Sequence, residues 1–116
     1  MAPMRHLAAV LLLMGLASPA FAGPDPKLVE KGRALYAANR CTLCHSAEGK
    51  GNPKGPHAGV GARLSAEEIR GWITKPQEMN AVRKSTRKPA MSSFAHLSAA
   101  DVDALVAYLQ SLPAPK

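Results

Sequence analysis

Hydrophobic residues recur at spacings of three and four in three separate segments, which is the period of an amphipathic helix. The first segment follows Asp25, a suitable N-cap, and has Pro26 at its first helical position. We expect this helix to end at Asn39, because asparagine tolerates the left-handed backbone that often closes a helix. The residues near its apolar face are Leu28, Gly32, Leu35 and Tyr36.

The other two segments begin in the same way, at a serine that can cap a helix. Ser65 and Glu68 form a capping-box pattern for a second helix, which Pro76 is expected to end. Ser98 caps a third helix that ends before Pro113. The apolar faces comprise Ile69, Trp72 and Ile73 in the second helix, and Val102, Leu105, Val106 and Leu109 in the third.

No segment alternates hydrophobic and polar residues over a useful strand length, so the pattern predicts an all-α fold of three principal helices. Two long connections, residues 47–63 and 76–95, are left without a predicted element. Structureless loops of this length are uncommon inside a compact domain. We therefore expect a large apolar ligand to order them.

Residues 1–22 have the pattern of a secretory signal peptide: a basic start, an apolar run and a small-residue cleavage site ending at Ala22. The apolar run is shorter than the roughly 20 residues that span a bilayer, which disfavours the alternative of an uncleaved anchor. Cleavage would leave residues 23–116 as one periplasmic domain without a stable membrane anchor. Domains this small often depend on a disulfide, a metal or another bound group.

The motif with the most specific chemistry is Cys41, Cys44 and His45, in the order C-x-x-C-H. This is the pattern of covalent haem c attachment. Two intervening residues allow one helical turn to present both thiols to the two vinyl groups of a haem, and the next residue can bind the iron. A thioredoxin-like site would need a strand in a βαβ setting, and a zinc site would need a fourth ligand. The sequence shows no βαβ pattern, and these residues supply only three zinc ligands with no second cysteine pair.

A second axial ligand to the iron is expected from the remaining methionines and histidines. Met91 is the preferred candidate, because it lies on a loop just before the last helix and a Met/His pair is typical of electron carriers. Met79 is the rival, although core packing is the commoner role of a methionine. His57 and His96 are expected on loops without contact to the iron, and ligation by His96 stays open.

The chain is basic, with a formal net charge of +7. Arg83, Lys84, Arg87 and Lys88 form a cluster just before Met91. Such a run is often simply a solvated face, but beside a haem pocket it would attract a redox partner with an acidic docking surface. Nucleic acid is disfavoured as a partner, because no aromatic residues alternate with these charges and the protein is expected to be exported.

The order of these features resembles the class I cytochrome c family of monohaem proteins. The resemblance covers Asp25 to Leu112: a helix, C-x-x-C-H, a glycine- and proline-rich loop, a tryptophan-bearing helix, a methionine loop and a final helix. It implies a crossing of the first and last helices. The residues that match the family at this crossing are Gly32, Tyr36, Leu105 and Tyr108.

The resemblance also implies roles for two residues near the haem. The carbonyl of Pro56 would accept a hydrogen bond from His45 and so fix its tautomer. Trp72 would donate from its indole to a haem propionate, although plain core packing is an alternative. Two positions depart from the family pattern. Ala58 replaces a common leucine near the proximal side, and Ser92 replaces a common proline after the methionine.

These observations together predict a periplasmic one-electron carrier with a covalent haem c and His/Met ligation, not an enzyme. One alternative is an electron-accepting subunit of a larger exported oxidoreductase. A second is a haem protein with an open iron site that binds small ligands, which the Ser92 departure motivates. A thiol oxidoreductase is the third.

Overall fold

A computed structural model describes Gly15 and residues 23–116. The predicted signal peptide therefore lies, apart from Gly15, outside the described residues. The helices are α1 (Pro26–Ala38), α2 (Val60–Arg63), α3 (Ala66–Thr74), α4 (Pro76–Arg83) and α5 (Ala99–Ser111). A 3-10 turn covers Cys41–Leu43, and two short strands, β1 (Ser46–Ala47) and β2 (Lys50–Gly51), form an antiparallel pair. The described residues are thus mostly helical, which confirms the all-α prediction.

Helices α1 and α5 cross in close contact at Gly32. A Cβ at this position would lie 2.6 Å from the Cβ of Tyr108 and would overlap the backbone carbonyl of Ala104. The rings of Tyr36 and Tyr108 meet edge to face beside this point, with centroids 5.4 Å apart. The predicted crossing is confirmed, and it brings the C-terminal half of α1 against the most buried helix of the protein.

The three predicted helix starts are all present. Asp25 accepts a hydrogen bond from the Lys27 amide, and Ser98 accepts one from the Asp101 amide. At α3, Ser65 and Glu68 satisfy each other's backbone amides as a complete capping box. The expected core residues are buried, with Ile69, Ile73, Val102, Leu105, Val106 and Leu109 each at most 6% exposed.

Two details of the sequence prediction are wrong. Asn39 ends α1 with φ −88°, and the left-handed conformation belongs to Arg40, with φ 57°. Pro76 does not lead into a structureless loop but occupies the first position of α4. A proline is well suited to that position, because its missing amide has no partner there in any helix. The side chain of Pro76 is fully buried, which fixes α4 against the domain.

The connection over residues 47–63 also contains regular structure that the sequence pattern did not predict. Its hairpin is held to the helices by Glu48, which accepts hydrogen bonds from Arg33 at 2.9 and 3.0 Å and from the Tyr108 hydroxyl at 2.8 Å. These bonds hold the pKa of Glu48 below its usual value, the bond from Arg33 being the larger cause. The hairpin turn is therefore anchored to both α1 and α5.

Candidate haem site

The C-x-x-C-H segment forms a tight turn directly after α1. The left-handed Arg40 reverses the chain, and the Cys41 carbonyl accepts from the amides of Cys44 at 3.2 Å and His45 at 2.9 Å. Both cysteine thiols are free; Cys41 is half-buried and Cys44 is exposed. Burial raises the pKa of Cys41 to about 11, so its sulfur stays protonated in the unmodified chain. One turn thus presents two thiols and the His45 imidazole from adjacent positions.

His45 is oriented by a backbone carbonyl of the following loop. Its Nδ1 lies 3.1 Å from the oxygen of Gly55, which also accepts from the Ser46 amide at 3.1 Å. The expectation for Pro56 is therefore corrected by one residue: Gly55 supplies the carbonyl, and Pro56 is exposed. When Nδ1 donates to a carbonyl, Nε2 carries the lone pair that can bind a metal. Burial, the largest cause, lowers the pKa of His45, which favours this neutral form.

His57 lies on a loop, as expected, but it is packed against His45. The two imidazole rings are stacked, with centroids 4.0 Å apart and planes at 20°. The Nδ1 of His57 is 3.0 Å from the Tyr36 hydroxyl, which links the pair to α1. Burial, followed by the neighbouring His45, lowers the pKa of His57 to about 3. The sequence carried no signal of this contact, since an isolated histidine in a glycine-rich loop is usually exposed.

Met91 and His45 line the same narrow cavity, whereas Met79 packs elsewhere. A Cβ at Gly71 would lie 2.8 Å from the Met79 sulfur, which places that sulfur against α3. Most other side chains of the cavity are apolar or aromatic, as a porphyrin face requires. They are contributed by α1, α3, α5 and the loop that carries Met91. The remaining lining residues are Tyr36, Asn39, Cys41, His57, Ile73, Phe94, Leu105 and Leu109.

Other residues with predicted roles lie around this cavity or apart from it. Trp72 is half-buried on α3. His96 is exposed and lies beside Phe94, with ring centroids 6.1 Å apart. A wider groove between the start of α1, α3 and α5 has no cysteine, histidine or methionine in its lining. It therefore lacks the residues that the haem chemistry needs.

The basic cluster before Met91 divides into paired and free members. Arg83 forms an ion pair with Glu68, and Arg87 donates to the Cys44 carbonyl at 2.9 Å. Lys84 and Lys88 are exposed. From the sequence, the cluster was expected to be either a solvated face or a basic rim beside the haem pocket. In the structure, two of its four members bind other parts of the chain.

These residues fit a covalently held haem. Two free thiols at the required spacing adjoin an imidazole whose Nδ1 bonds a backbone carbonyl, and the soft thioether of Met91 lines the same cavity as His45. The fold and site thus define a small helical protein of the c-type haem class.

The chain belongs to the cytochrome c family, since the family model Cytochrome c matches residues 29–113. It therefore carries one haem c, attached through Cys41 and Cys44. The class predicted from the sequence is confirmed.

Two relatives of known name share this similarity. The chain is 30% identical over 98 residues to cytochrome c oxidase subunit 2 of Alkalihalophilus pseudofirmus, an alignment that covers 77% of this chain and 27% of that protein. It is 29% identical over 101 residues to cytochrome c4 of Azotobacter vinelandii, covering 81% of this chain and 48% of that protein. The chain thus spans less than half the length of either relative. No solved structure matches the chain.

Proposed function

We propose that this protein is a periplasmic one-electron carrier whose iron is held by His45 and Met91. The haem c supplies the one-electron couple when it is bound. His45 would contribute an imidazole whose Nδ1 bonds the Gly55 carbonyl and whose ring stacks on His57, and Met91 would contribute a neutral thioether from the same cavity. Because both ligands stay in place in either oxidation state, little rearrangement accompanies the electron.

A single observation supports Met91 over Met79: the Met91 side chain lines the cavity of His45, while the Met79 sulfur packs against Gly71. The substitution Met91→Ala should abolish the weak long-wavelength sulfur-to-iron band of the ferric protein and allow carbon monoxide to bind the ferrous protein. Met79→Ala is the matched control and should keep the parent spectrum. Unchanged ferric and ferrous spectra in Met91→Ala would remove Met91 from the proposal.

Trp72 is proposed to donate its indole N–H to a haem propionate. The support is the resemblance of α3 to the tryptophan-bearing helix of the family, together with the half-buried position of Trp72 on it. Replacement by phenylalanine keeps the ring packing and removes the donor. We expect a shifted reduction potential with an unchanged axial pair.

The partners of the protein are proposed to be redox proteins with acidic docking surfaces, and the protein itself is not proposed to catalyse a reaction. The exposed side chains of Lys84 and Lys88 lie on the segment that leads to Met91, where they would guide an acidic partner towards the haem edge. Export and cleavage of residues 1–22 rest on the sequence pattern alone. Among the described residues, no helix is long and apolar enough to cross a membrane.

A second candidate is an electron-accepting subunit of a larger exported oxidoreductase. The similarity to cytochrome c oxidase subunit 2 favours it, because the matching region is 27% of a longer protein that is named as a subunit of an oxidase. Size-exclusion chromatography of periplasmic and membrane extracts would separate the two cases. A free carrier elutes at the size of one small domain, and a subunit co-elutes with a larger complex.

A further inference from the structure

Arg87 makes a contact between two segments far apart in the sequence. Its guanidinium donates to the Cys44 carbonyl at 2.9 Å, across 43 residues of chain. Arg87 precedes Met91 by four residues, and Cys44 precedes His45 by one. The segment that carries the proposed sixth ligand is thus bonded to the turn that carries the fifth.

Gly55 provides the space for this contact. A Cβ on Gly55 would overlap the Cys44 carbonyl and a guanidinium nitrogen of Arg87, and would lie 2.9 Å from the Arg87 Cζ. The planar guanidinium therefore lies over the backbone of Gly55. Since the carbonyl of Gly55 also accepts from the His45 Nδ1, Arg87 packs against the group that orients this imidazole.

The other end of the methionine segment is attached to α3. The Ser93 hydroxyl donates to the Thr74 carbonyl at 3.0 Å, and the Phe94 amide donates to the Ile73 carbonyl at 2.8 Å. Met91 lies between this attachment and Arg87. The exposed residues between the two attachments make few other contacts, so loss of either one would lengthen the free loop and increase its entropy.

We infer that Arg87 is a positioning residue, which fastens the methionine segment to the Cys44–His45 turn and holds Met91 in its place. The inference rests on the proposed ligation by Met91. It also gives a physical account of how Ser92 can replace the common proline: two attachments to the rest of the domain restrict the loop in place of a rigid ring. The exposed lysines of the cluster, Lys84 and Lys88, are not needed for this role.

Arg87 also places a fixed positive charge near the axial imidazole. A nearby positive charge disfavours the extra charge of the ferric state, so Arg87 should raise the reduction potential. Lysine would keep the charge but not the planar fork that lies over Gly55. The two effects can therefore be separated by substitution.

The test compares Arg87→Gln and Arg87→Lys with Lys88→Gln in the haem-loaded protein. Lys88→Gln is the matched control, because it makes the same change of charge on the next residue. Three quantities are measured: the affinity of ferric protein for added imidazole, the hydrogen exchange of amides in residues 85–95, and the reduction potential. Imidazole reports displacement of the sixth ligand, and hydrogen exchange reports opening of the segment whatever binds the iron.

Both Arg87 variants should bind imidazole more tightly and exchange these amides faster, and the change should be about tenfold for Arg87→Gln, which loses the charge-assisted hydrogen bond. Arg87→Gln alone should also lower the potential, while Lys88→Gln matches the parent in exchange and imidazole affinity. Equal exchange in all four proteins would overturn the inference. A parent protein without the sulfur-to-iron band would instead overturn the Met91 ligation, and hydrogen exchange would still decide the role of Arg87.

Discussion

The imidazole of His57 lies on the imidazole of His45, with ring centroids 4.0 Å apart and planes at 20°. Stacking covers one face of His45 and leaves its Nε2 edge free. The Gly55 carbonyl bonds the Nδ1 of the same ring. The His45 ring is therefore restrained both against rotation about its bond to Cβ and against tilting out of its plane. His57 is in turn held by the Tyr36 hydroxyl at 3.0 Å. The orientation of the proposed axial ligand thus depends on α1.

Removal of the His57 ring should allow the His45 ring to change its orientation, while His45 remains a ligand of the iron. We expect His57→Ala to retain covalent haem and the sulfur-to-iron band, but to change the paramagnetic NMR shifts of the ferric haem methyls, which depend on the plane of the axial imidazole. Loss of packing should cost about 1–3 kcal/mol in the free energy of unfolding. His96→Ala, at an exposed histidine, should change neither quantity. Identical methyl shifts in His57→Ala and the parent would show that His57 does not orient the ligand.

The bonds of Glu48 to Arg33 and Tyr108 should make part of the stability depend on pH. These bonds lower the pKa of Glu48 in the folded protein, so its contribution is complete above the unfolded value of about 4.5 and is lost as pH falls through the lower folded value. Since Glu48 is exposed in part, we expect less than about 1 kcal/mol at neutral pH.

Urea unfolding of the parent and of Glu48→Gln at neutral and acid pH measures this contribution. The difference between the two proteins should be largest at neutral pH and should shrink below about pH 4. Glu78→Gln, at an exposed carboxylate that forms no ion pair with residues 23–116, is the control and should show a smaller difference. A Glu48→Gln difference that is independent of pH would contradict this assignment.

The helices could be predicted from the sequence because their signals are local. Ser65, Glu68 and Ser98 lie within one turn of the amides that they cap, and buried residues follow at helical spacing. The expected end of the second helix before Pro76 is correct, since α3 ends at Thr74, but the sequence did not show that Pro76 also begins α4. Haem attachment was also predictable, since the C-x-x-C-H spacing is itself local.

The surroundings of the haem site could not be predicted in the same way, because they depend on contacts between distant segments. Gly55 and Pro56 are adjacent in a turn, and the path of the backbone decides which carbonyl faces His45. Arg87 resembles its basic neighbours in the sequence, and its bond to Cys44 arises only when the methionine segment returns to the turn. The cluster of basic residues therefore did not show, from the sequence alone, which of its members bonds to another part of the chain.

The close approach of α1 and α5 makes Gly32 the most sensitive glycine of the helices. Gly32→Ala gains helix propensity of about 1 kcal/mol but forces a Cβ into the Ala104 backbone and the Tyr108 side chain. Because neither neighbour can move freely, we expect a net loss of about 1–3 kcal/mol in the free energy of unfolding.

Gly71→Ala is the matched control for this substitution, because Gly71 also lies inside a helix. Its new Cβ would meet only the flexible end of Met79, so this variant should be as stable as the parent or slightly more stable. Urea unfolding of the three haem-loaded proteins compares them directly. If Gly32→Ala were as stable as Gly71→Ala, the crossing of α1 and α5 would have to tolerate a wider separation of the helices than the structure shows.

The exposed lysines beside the methionine segment should control the rate of electron transfer to anions. We expect oxidation of the reduced protein by ferricyanide to slow as ionic strength rises, because salt screens the attraction between Lys84, Lys88 and the anion. Substitution of Lys84 or Lys88 by glutamine should lower the rate by a few fold at low salt and weaken its salt dependence. Lys27→Gln makes the same charge change at the far end of α1, roughly 20 Å along the helix from Cys41, and should have a smaller effect.

Stopped-flow measurements follow these rates. With a cationic cobalt complex as the oxidant, the rate should instead rise with ionic strength if local charge is the cause, because salt then screens a repulsion. Equal effects of the three substitutions would assign the salt dependence to net charge alone, and the proposed docking face would be lost.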